Sequence, residues 1–418
     1  MKIILVSFGS YGDINPFIWM AKTFKDSGHN PVIITNTYFR EIIEQENIEF
    51  YGIGNEIEYI KLFDSIDVTS RKNKTIDMFK NLKKFINHIC IDPIHETINI
   101  IKKIKTEDTL ILNSMLAFGA GLAAKKYSLN QRTIALSPTV ISSFKKEEPL
   151  FKSILSIIKY NINSKAFKVL YGKHIKKISH DLQIEIEKPN LPNWIFKNGT
   201  ICLFPEWFMN FTLKNDRNIS FAGFPNINSS VDIPIEFKNF LDLNPEPIVF
   251  TPGTPFRHNS IFFNEALKAL ISLSKPGVFL TKNINSVPKN LPPSIYVSEF
   301  LPLNKFLDKC SLIVHHGGIG TTSQGISSGI PQIIFYHQGL DQKYNGAVVE
   351  KLDIARIADY KSINADLIIQ YAKELLDSNK KDNFVKLKSN KLNSSEKEMI
   401  KIISDIHNII LRNAALTN

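Results

Sequence analysis

Residues 3–8, Ile-Ile-Leu-Val-Ser-Phe, form a nearly unbroken apolar run of strand length that opens into Gly9-Ser10-Tyr11-Gly12-Asp13. A helical pattern follows, with Phe17, Met20, Ala21 and Phe24 on one face. Asn15 is placed to cap that helix, Pro16 suits its first turn, and Gly28 suits its end. Pro31–Thr35 reads as a second strand, again apolar rather than alternating, which is the pattern of parallel strands covered on both faces. The result is a βαβ unit. Leu110–Leu112 and Thr133–Leu136 continue the series with a helix from about Ala117 to Tyr127 between them, while residues 55–105 read as inserted helices and loops.

The alternation stops and restarts. Gly223, Pro225, Asn226, Asn228, Pro234, Pro245 and Pro247 crowd one stretch, which reads as an interdomain linker. After it come Pro247–Thr251, a helix from about Asn259 to Leu273, Gly277–Thr281, Ile295–Val297, Ser311–His315, a helix from Thr321, and Pro331–Tyr336. Near the end of the chain, Met399, Ile400, Ile403, Ile406 and Ile410 recur at helical intervals, so that helix has one face to bury. The expected architecture is α/β: doubly wound, Rossmann-like domains at 1–222 and 247–394, a linker at 223–246, and a C-terminal helix at 395–418 packing back on the N-terminal domain. Ligands of such domains bind in the crevice at the strand carboxyl ends, here expected as a central cleft that the two domains face.

At 418 residues the chain is too long for one ordinary core, and 43% hydrophobic with 22% charged residues excludes wholesale disorder, collagen and coiled-coil arrays. Cys90, Cys202 and Cys310 are far apart with no CxxC, which argues against a disulfide framework or structural zinc and fits a reducing compartment. No signal-peptide pattern opens the chain, and Leu110–Ala124, the longest mostly apolar stretch, is shorter than the roughly 20 residues of a membrane helix. A cytoplasmic protein that does not span a bilayer is expected. Of the net charge of +11, +8 lies in residues 1–225, with 30 Lys and Arg against 22 Asp and Glu. The stretch Phe151–Ile178 sets lysines against Ile154, Leu155, Ile158, Phe167 and Leu170. It is either the solvated face of an ordinary helix or a peripheral contact with an anionic membrane or a hydrophobic acceptor.

The richest chemistry lies in His315-His316-Gly317-Gly318-Ile319-Gly320-Thr321-Thr322-Ser323-Gln324, which follows a strand and opens a helix. Glycines let a backbone approach a ligand, and the N–H groups at a helix N-terminus favour phosphate oxygens. The run reads as a diphosphate cradle with His316 at its mouth. It is neither a Walker motif nor the G-x-G-x-x-G dinucleotide fingerprint. Gly253 and Thr254 form a second glycine turn, after the first strand of the same domain. Asp13 occupies the corresponding turn of the N-terminal domain, where it could cap the helix or act as a general base.

The run from Leu312 to Asn345, with His316, Gly318, Gly320, Thr321, Gln324, Gly329, Pro331, Asp341, Gln342 and Asn345, resembles the nucleotide-sugar motif of family 1 UDP-glycosyltransferases. The wording is nearest to the bacterial branch of rhamnosyltransferase-like and sterol-glucosyltransferase-like enzymes. The opening GSYGDINPF, the central FTPGT, and the LFPEWF and AGFP stretches fit the same branch, so the resemblance covers nearly the whole chain. It implies a GT-B fold with the acceptor in the N-terminal domain and the donor in the C-terminal one. It further implies that His316 and Gly320–Thr321 contact the donor diphosphate, that Asp341 and Gln342 hold sugar hydroxyls, and that Phe300 stacks on the base. Gln324 stands where many plant members have a ribose-binding glutamate. Gly12, Gly253, Thr254 and Gly318 complete the donor-binding set.

Asp13 stands where plant members have a histidine base, and Asn113 where they have its helper acid. The implied reaction is an inverting transfer from a UDP- or dTDP-sugar to a hydroxyl of a hydrophobic small molecule or lipid, with Asp13 as general base. The chain has no Asp-x-Asp, so neither a metal site nor a cofactor beyond the donor is expected, and nucleic acid is not an expected partner. Two other readings remain: a nucleotide-sugar epimerase or hydrolase on the same fold, and a non-catalytic nucleotide-binding homologue.

Overall fold

The computed structural model describes residues 1–65, 83–141, 172–173, 175–184, 198–209, 218–226, 231–253, 260–337, 341–377 and 395–417. Most of the basic stretch Phe151–Ile178, together with Thr254, lies outside the described residues. The described chain divides into two compact units, one built from residues 1–226 and the C-terminal helix, the other from residues 231–377.

The first unit holds a seven-stranded sheet in the order β3-β2-β1-β4-β5-β6-β7. Its strands are β1 (Lys2–Val6), β2 (Asn30–Asn36), β3 (Glu49–Ile53), β4 (Leu110–Ser114), β5 (Asn130–Ala135), β6 (Thr200–Cys202) and β7 (Ile219–Phe221), every adjacent pair parallel. Ile3, Ile4, Leu5 and Val6 are all fully buried, as a central strand with both faces covered requires. Helix α1 (Tyr11–Asp26) crosses from β1 to β2 and buries Phe17, Met20, Ala21 and Phe24, the face that the spacing predicts. Its start differs from the expectation. The helix begins at Tyr11 with Ser10 as N-cap, and Pro16 lies inside it rather than in its first turn. Asp13 is the reason: its carboxylate accepts the Ser10 N–H at the helix entrance, so the cap lies at Ser10, ahead of Asn15.

Helices α2 (Ile94–Ile104) and α3 (Phe118–Lys126) cover further sheet surface, burying Ile98, Ile101, Phe118 and Leu122. Cys90, Cys202 and Cys310 are buried and unbridged.

The second unit holds a six-stranded parallel sheet, β10-β9-β8-β11-β12-β13. Its strands are β8 (Ile248–Thr251), β9 (Gly277–Leu280), β10 (Ile295–Ser298), β11 (Leu312–His315), β12 (Gln332–Tyr336) and β13 (Ala355–Asp359). Alternate residues of each strand enter different cores. Phe250, Phe279, Leu312 and Val314 pack with Phe262, Phe263 and Ile368 of α5 (Ser260–Leu273) and α8 (Ala365–Leu375), numbering α4 (Ile235–Leu243), α6 (Ile319–Ser328) and α7 (Gln342–Lys351) between. Val249, Val278 and Ile313 face the other way, against Phe237 and Phe240 of α4 and against Phe306. Much of the stretch expected as linker is therefore packed structure. Phe237 stands 4.9 Å from the Phe306 ring, a contact that only a folded α4 supplies.

The C-terminal helix α9 (Ser395–Thr417) packs on the first unit, against α1, and buries Met399, Ile403, Ile406 and Ile410. No described helix is long and apolar enough to cross a membrane. Ile403 is fully buried, so Ile403→Ala should cost about 2–5 kcal/mol. Ser404→Ala, on the exposed face one residue on, should stay within about 0.5 kcal/mol. Urea denaturation of the two variants checks the difference.

Candidate active site

From β8 the second sheet winds one way through β9 and β10, and β11 to β13 fill the other side. Loops leaving neighbouring strands part at such a switch point and open a crevice at the carboxyl ends. Gly253 follows β8 and His316 follows β11, its neighbour in the sheet, so topology brings two of the glycine turns together. The contact is direct. A Cβ on Gly253 would stand 2.3 Å from His316 Cε1, and one on Gly318 would stand 2.5 Å from His316 Nε2. The imidazole fits between two backbone segments only because both lack side chains. Gly253 also takes φ +76°, a conformation that glycine adopts without strain.

Beneath His316 lies a network that the sequence reading did not single out. His315 is fully buried, its Nε2 2.9 Å from Gln332 Oε1, while its Nδ1 accepts the Gly317 N–H at 3.1 Å. Accepting at Nδ1 leaves the proton on Nε2, which donates to Gln332. Gln332 Nε2 in turn donates to the Thr322 carbonyl at 3.2 Å, inside α6. The Gly317 carbonyl accepts from Asn345 Nδ2 at 3.0 Å. Both ends of residue 317 are thus held. The available signal was a polar histidine closing the otherwise apolar run Leu312-Ile313-Val314.

Helix α6 starts at Ile319, two residues before the expected Thr321, with Gly318 as N-cap. Thr322 Oγ1 returns to the Gly318 carbonyl and Ser323 Oγ to the Gly320 carbonyl, so these hydroxyls serve the helix. Thr321 and Gln324 make no side-chain hydrogen bond to described residues. Gly320 is exposed, with no atom within 4 Å of where its Cβ would be. The N–H groups of this first turn and the helix dipole make a positive end.

Asp341 is the N-cap residue of α7, and its Oδ2 accepts from Asn345 Nδ2 at 3.2 Å. Gln342 is buried, its Oε1 taken by the His337 N–H at 2.9 Å, so its side chain fixes the connection from β12. Phe300 follows β10 and is 58% exposed, a large apolar ring presented to solvent.

In the first unit the switch point lies between β1 and β4, and Asp13 sits in the turn of α1 that follows β1. Its Oδ2 accepts from Ser10 N at 2.7 Å and from Ser10 Oγ at 3.0 Å. Gly9, at φ +143°, leaves room for it: a Cβ there would stand 2.3 Å from Asp13 Oδ2. Gly12 is exposed beside it. Asn113 ends up in a buried amide chain, its Oδ1 accepting from Gln131 Nε2 at 2.6 Å and its Nδ2 donating to the Ser114 carbonyl at 2.9 Å. Those bonds give Asn113 a structural place in the sheet.

Residues 3–134 match the glycosyltransferase family 28 N-terminal domain, and residues 276–406 match the erythromycin biosynthesis protein CIII-like C-terminal domain. The chain belongs to the family 1 GT-B UDP-glycosyltransferase superfamily. It is 23% identical over 391 residues to the uncharacterized UDP-glucosyltransferase YojK of Bacillus subtilis, covering 90% of each chain. It is 23% identical over 355 residues to the sterol 3-beta-glucosyltransferase UGT80B1 of Arabidopsis thaliana, covering 80% of this chain and 56% of that protein. The chain thus spans little more than half the length of that relative. Among solved GT-B structures, the glycosyltransferase of kitacinnamycin superposes with a TM-score of 0.73 at 14% identity, covering 98% of both chains. VinC in complex with dTDP superposes with a TM-score of 0.70 at 13% identity, covering 99% of this chain and 100% of that one.

Desolvation, aided by the neighbouring His316, pushes the His315 pKa down to about 3, against the opposing pull of the Gln332 hydrogen bond. Burial of its ring lowers His316, which keeps partial solvent access, to about 4. Both imidazoles are neutral at pH 7. Between about pH 6.5 and 3 the unfolded chain binds a proton at residue 315 that the native chain does not, so stability falls as pH falls through that window. The loss is about 1.4 kcal/mol per pH unit for one histidine. His315→Asn should flatten the pH dependence of urea stability by about one proton between pH 6 and 4.5; an unchanged slope would contradict the buried neutral imidazole.

Proposed function

We propose that the chain moves a sugar, with inversion, from a UDP- or dTDP-sugar to a hydroxyl of a hydrophobic small-molecule or lipid acceptor. The observation that carries the donor half is the His316 ring held between Gly253 and Gly318 at the mouth of α6. Neutral imidazole, the Thr321 hydroxyl and the first-turn N–H groups are hydrogen-bond donors of fixed position, suited to the oxygens of a diphosphate. Phe300 supplies an aromatic face for the base, Gln324 an amide for the ribose, and Asp341 a carboxylate for sugar hydroxyls. Gln342, buried next to Asp341 in the chain, holds the His337 N–H.

In the proposed reaction the acceptor O–H proton passes to the Asp13 carboxylate while the acceptor oxygen bonds to the anomeric carbon. The bond from that carbon to the diphosphate oxygen breaks, and the electron pair leaves with the diphosphate. Charge growing on the leaving group meets donors already in place, an arrangement that supplies several kcal/mol, and a positioned base adds about 10²–10⁴-fold. The Ser10 hydrogen bonds hold Asp13 by Oδ2, and a carboxylate offers roughly four acceptor positions. Acceptors of the class named for the sterol glucosyltransferase relatives fit the hydrophobic preference.

Asn keeps an acceptor for Ser10 N but is not a base. Asp13→Asn should therefore lower transfer at least about 10²-fold with UDP affinity within about twofold of wild type, and wild-type turnover in that variant would remove Asp13 as base. Asp13→Ala should lose the same activity and in addition about 1 kcal/mol of stability with the cap. A Cβ at residue 253 displaces the His316 ring, so Gly253→Ala should weaken UDP binding at least tenfold by calorimetry. Undiminished affinity would refute the cradle. Sugar released from the donor equally fast with and without any acceptor would favour the hydrolase reading.

A further inference from the structure

The peptide that joins Gly9 to Ser10 is engaged at both ends. Its N–H donates to Asp13 Oδ2 at 2.7 Å. Its carbonyl accepts from the Tyr59 hydroxyl at 2.8 Å, a buried bond between residues 50 apart in sequence. In a trans peptide the two groups point in opposite directions, so Tyr59 stands on one side of the unit and Asp13 on the other.

Tyr59 belongs to the helix Glu56–Ser65, which follows β3 and is entered through Asn55, whose Oδ1 accepts from Ile57 N at 2.8 Å. The residue is 4% exposed. Aromatic neighbours fix its ring: Tyr38 stacks at 4.6 Å, Phe39 meets it in edge-to-face geometry at 5.4 Å, and Phe63 lies tilted at 4.4 Å. Tyr11, the first residue of α1, extends the cluster to Tyr38 and Phe39 at 5.9 and 5.2 Å. The phenol oxygen therefore has little freedom. Among the described residues, no other hydrogen bond reaches the Gly9 carbonyl.

A donor on a peptide carbonyl polarises the N–H at the other end, so the two bonds strengthen each other. Gly9 is buried, and a buried carbonyl that loses its donor must turn to find another. That turn would carry the Ser10 N–H off the carboxylate. Ser10 Oγ, 3.0 Å from the same oxygen, would remain, so Asp13 would be loosened and not released.

We propose that Tyr59 is a positioning residue for the base: through the Gly9–Ser10 peptide, its hydroxyl holds the Asp13 carboxylate where it takes the acceptor proton. This role rests on Asp13 being the general base. Tyr59 acts through the peptide and receives no proton itself. Misplacing a reacting group by about 1 Å can cost about 10²-fold in rate, which sets the ceiling of the effect.

Two measurements on the full chain test the role. Tyr59→Phe removes the hydroxyl and keeps the ring in its cluster. With UDP-glucose and cholesterol its kcat should fall about tenfold, the net contribution of one hydrogen bond, while donor KM and UDP affinity stay within about twofold of wild type. In an Asp13→Asn background the same substitution should lower residual turnover no further. 4-Aminophenylalanine at residue 59 restores a donor on the same ring and should recover most of the lost rate. 4-Methylphenylalanine, which fills the place of the hydroxyl without donating, should behave as Tyr59→Phe does and separates the lost bond from lost packing. The second measurement needs no substrate: amide exchange followed by NMR should quicken about tenfold at Ser10 in Tyr59→Phe, with Ile3–Val6 of β1 as protected as before. Wild-type kcat in Tyr59→Phe beside an impaired Asp13→Asn would overturn the positioning role and leave the base reading standing. Equal losses from Tyr59→Phe in both backgrounds, or unchanged exchange at Ser10, would overturn it too. Wild-type turnover in Asp13→Asn would remove the base reading and this role with it.

Discussion

One peptide orientation underlies the loop after β11. Residue 317 is held at its N–H by His315 Nδ1 and at its carbonyl by Asn345 Nδ2, in a backbone conformation at φ +87° that has no space for a side chain. That orientation sets where His316 and Gly318 go, and thereby where α6 begins. The clamp works only with a neutral His315, because a protonated ring has no lone pair for the Gly317 N–H. Complete burial keeps it neutral. The polar network is tolerated here because both ring nitrogens of His315 and both amide atoms of Gln332 are hydrogen-bonded, the condition under which such networks give rigidity, while Asn345 Oδ1 is buried with no partner among the described residues.

The two sheets share an order and diverge in chemistry. Each winds outward from a central strand in both directions, and in each the residues of interest follow strands at the reversal. In the second unit that position carries glycines, a neutral imidazole and a helix end, a set that donates hydrogen bonds. In the first it carries a carboxylate already engaged by Ser10. Fold alone fixes neither choice. The position comes from topology and the chemistry from a few side chains.

Central strands such as β1 and β8 were legible because burial on both faces forces unbroken apolar runs. Strands β6 and β7 have three residues each, and β3 and β13 mix Glu, Tyr, Arg and Asp with apolar positions, so nothing in their local pattern separates them from loops. The proline-rich stretch concealed α4, because Pro234 ends up preceding a helix and not interrupting one. Asp13 was legible both as a candidate base and as a candidate cap of α1 beside Asn15; both are good caps by type, and the choice depends on Ser10 lying within reach of Asp13. His316 and the glycines announced themselves by motif. His315 and Gln332 lie 17 residues apart, and their partnership exists only because β11 and β12 pair. Gln342 shows the converse, a motif residue whose side chain is spent on backbone.

Because α9 belongs with the first unit, that unit is discontinuous in the chain, with all of the second unit inserted before its last helix. On the ribosome, at about 5–20 residues per second, the surface of the first unit that buries Met399 and Ile403 emerges long before its cover. For tens of seconds the nascent first unit must hold its shape with a greasy flank open to solvent, which makes it a natural client for a chaperone and a vulnerable target for proteases until translation ends.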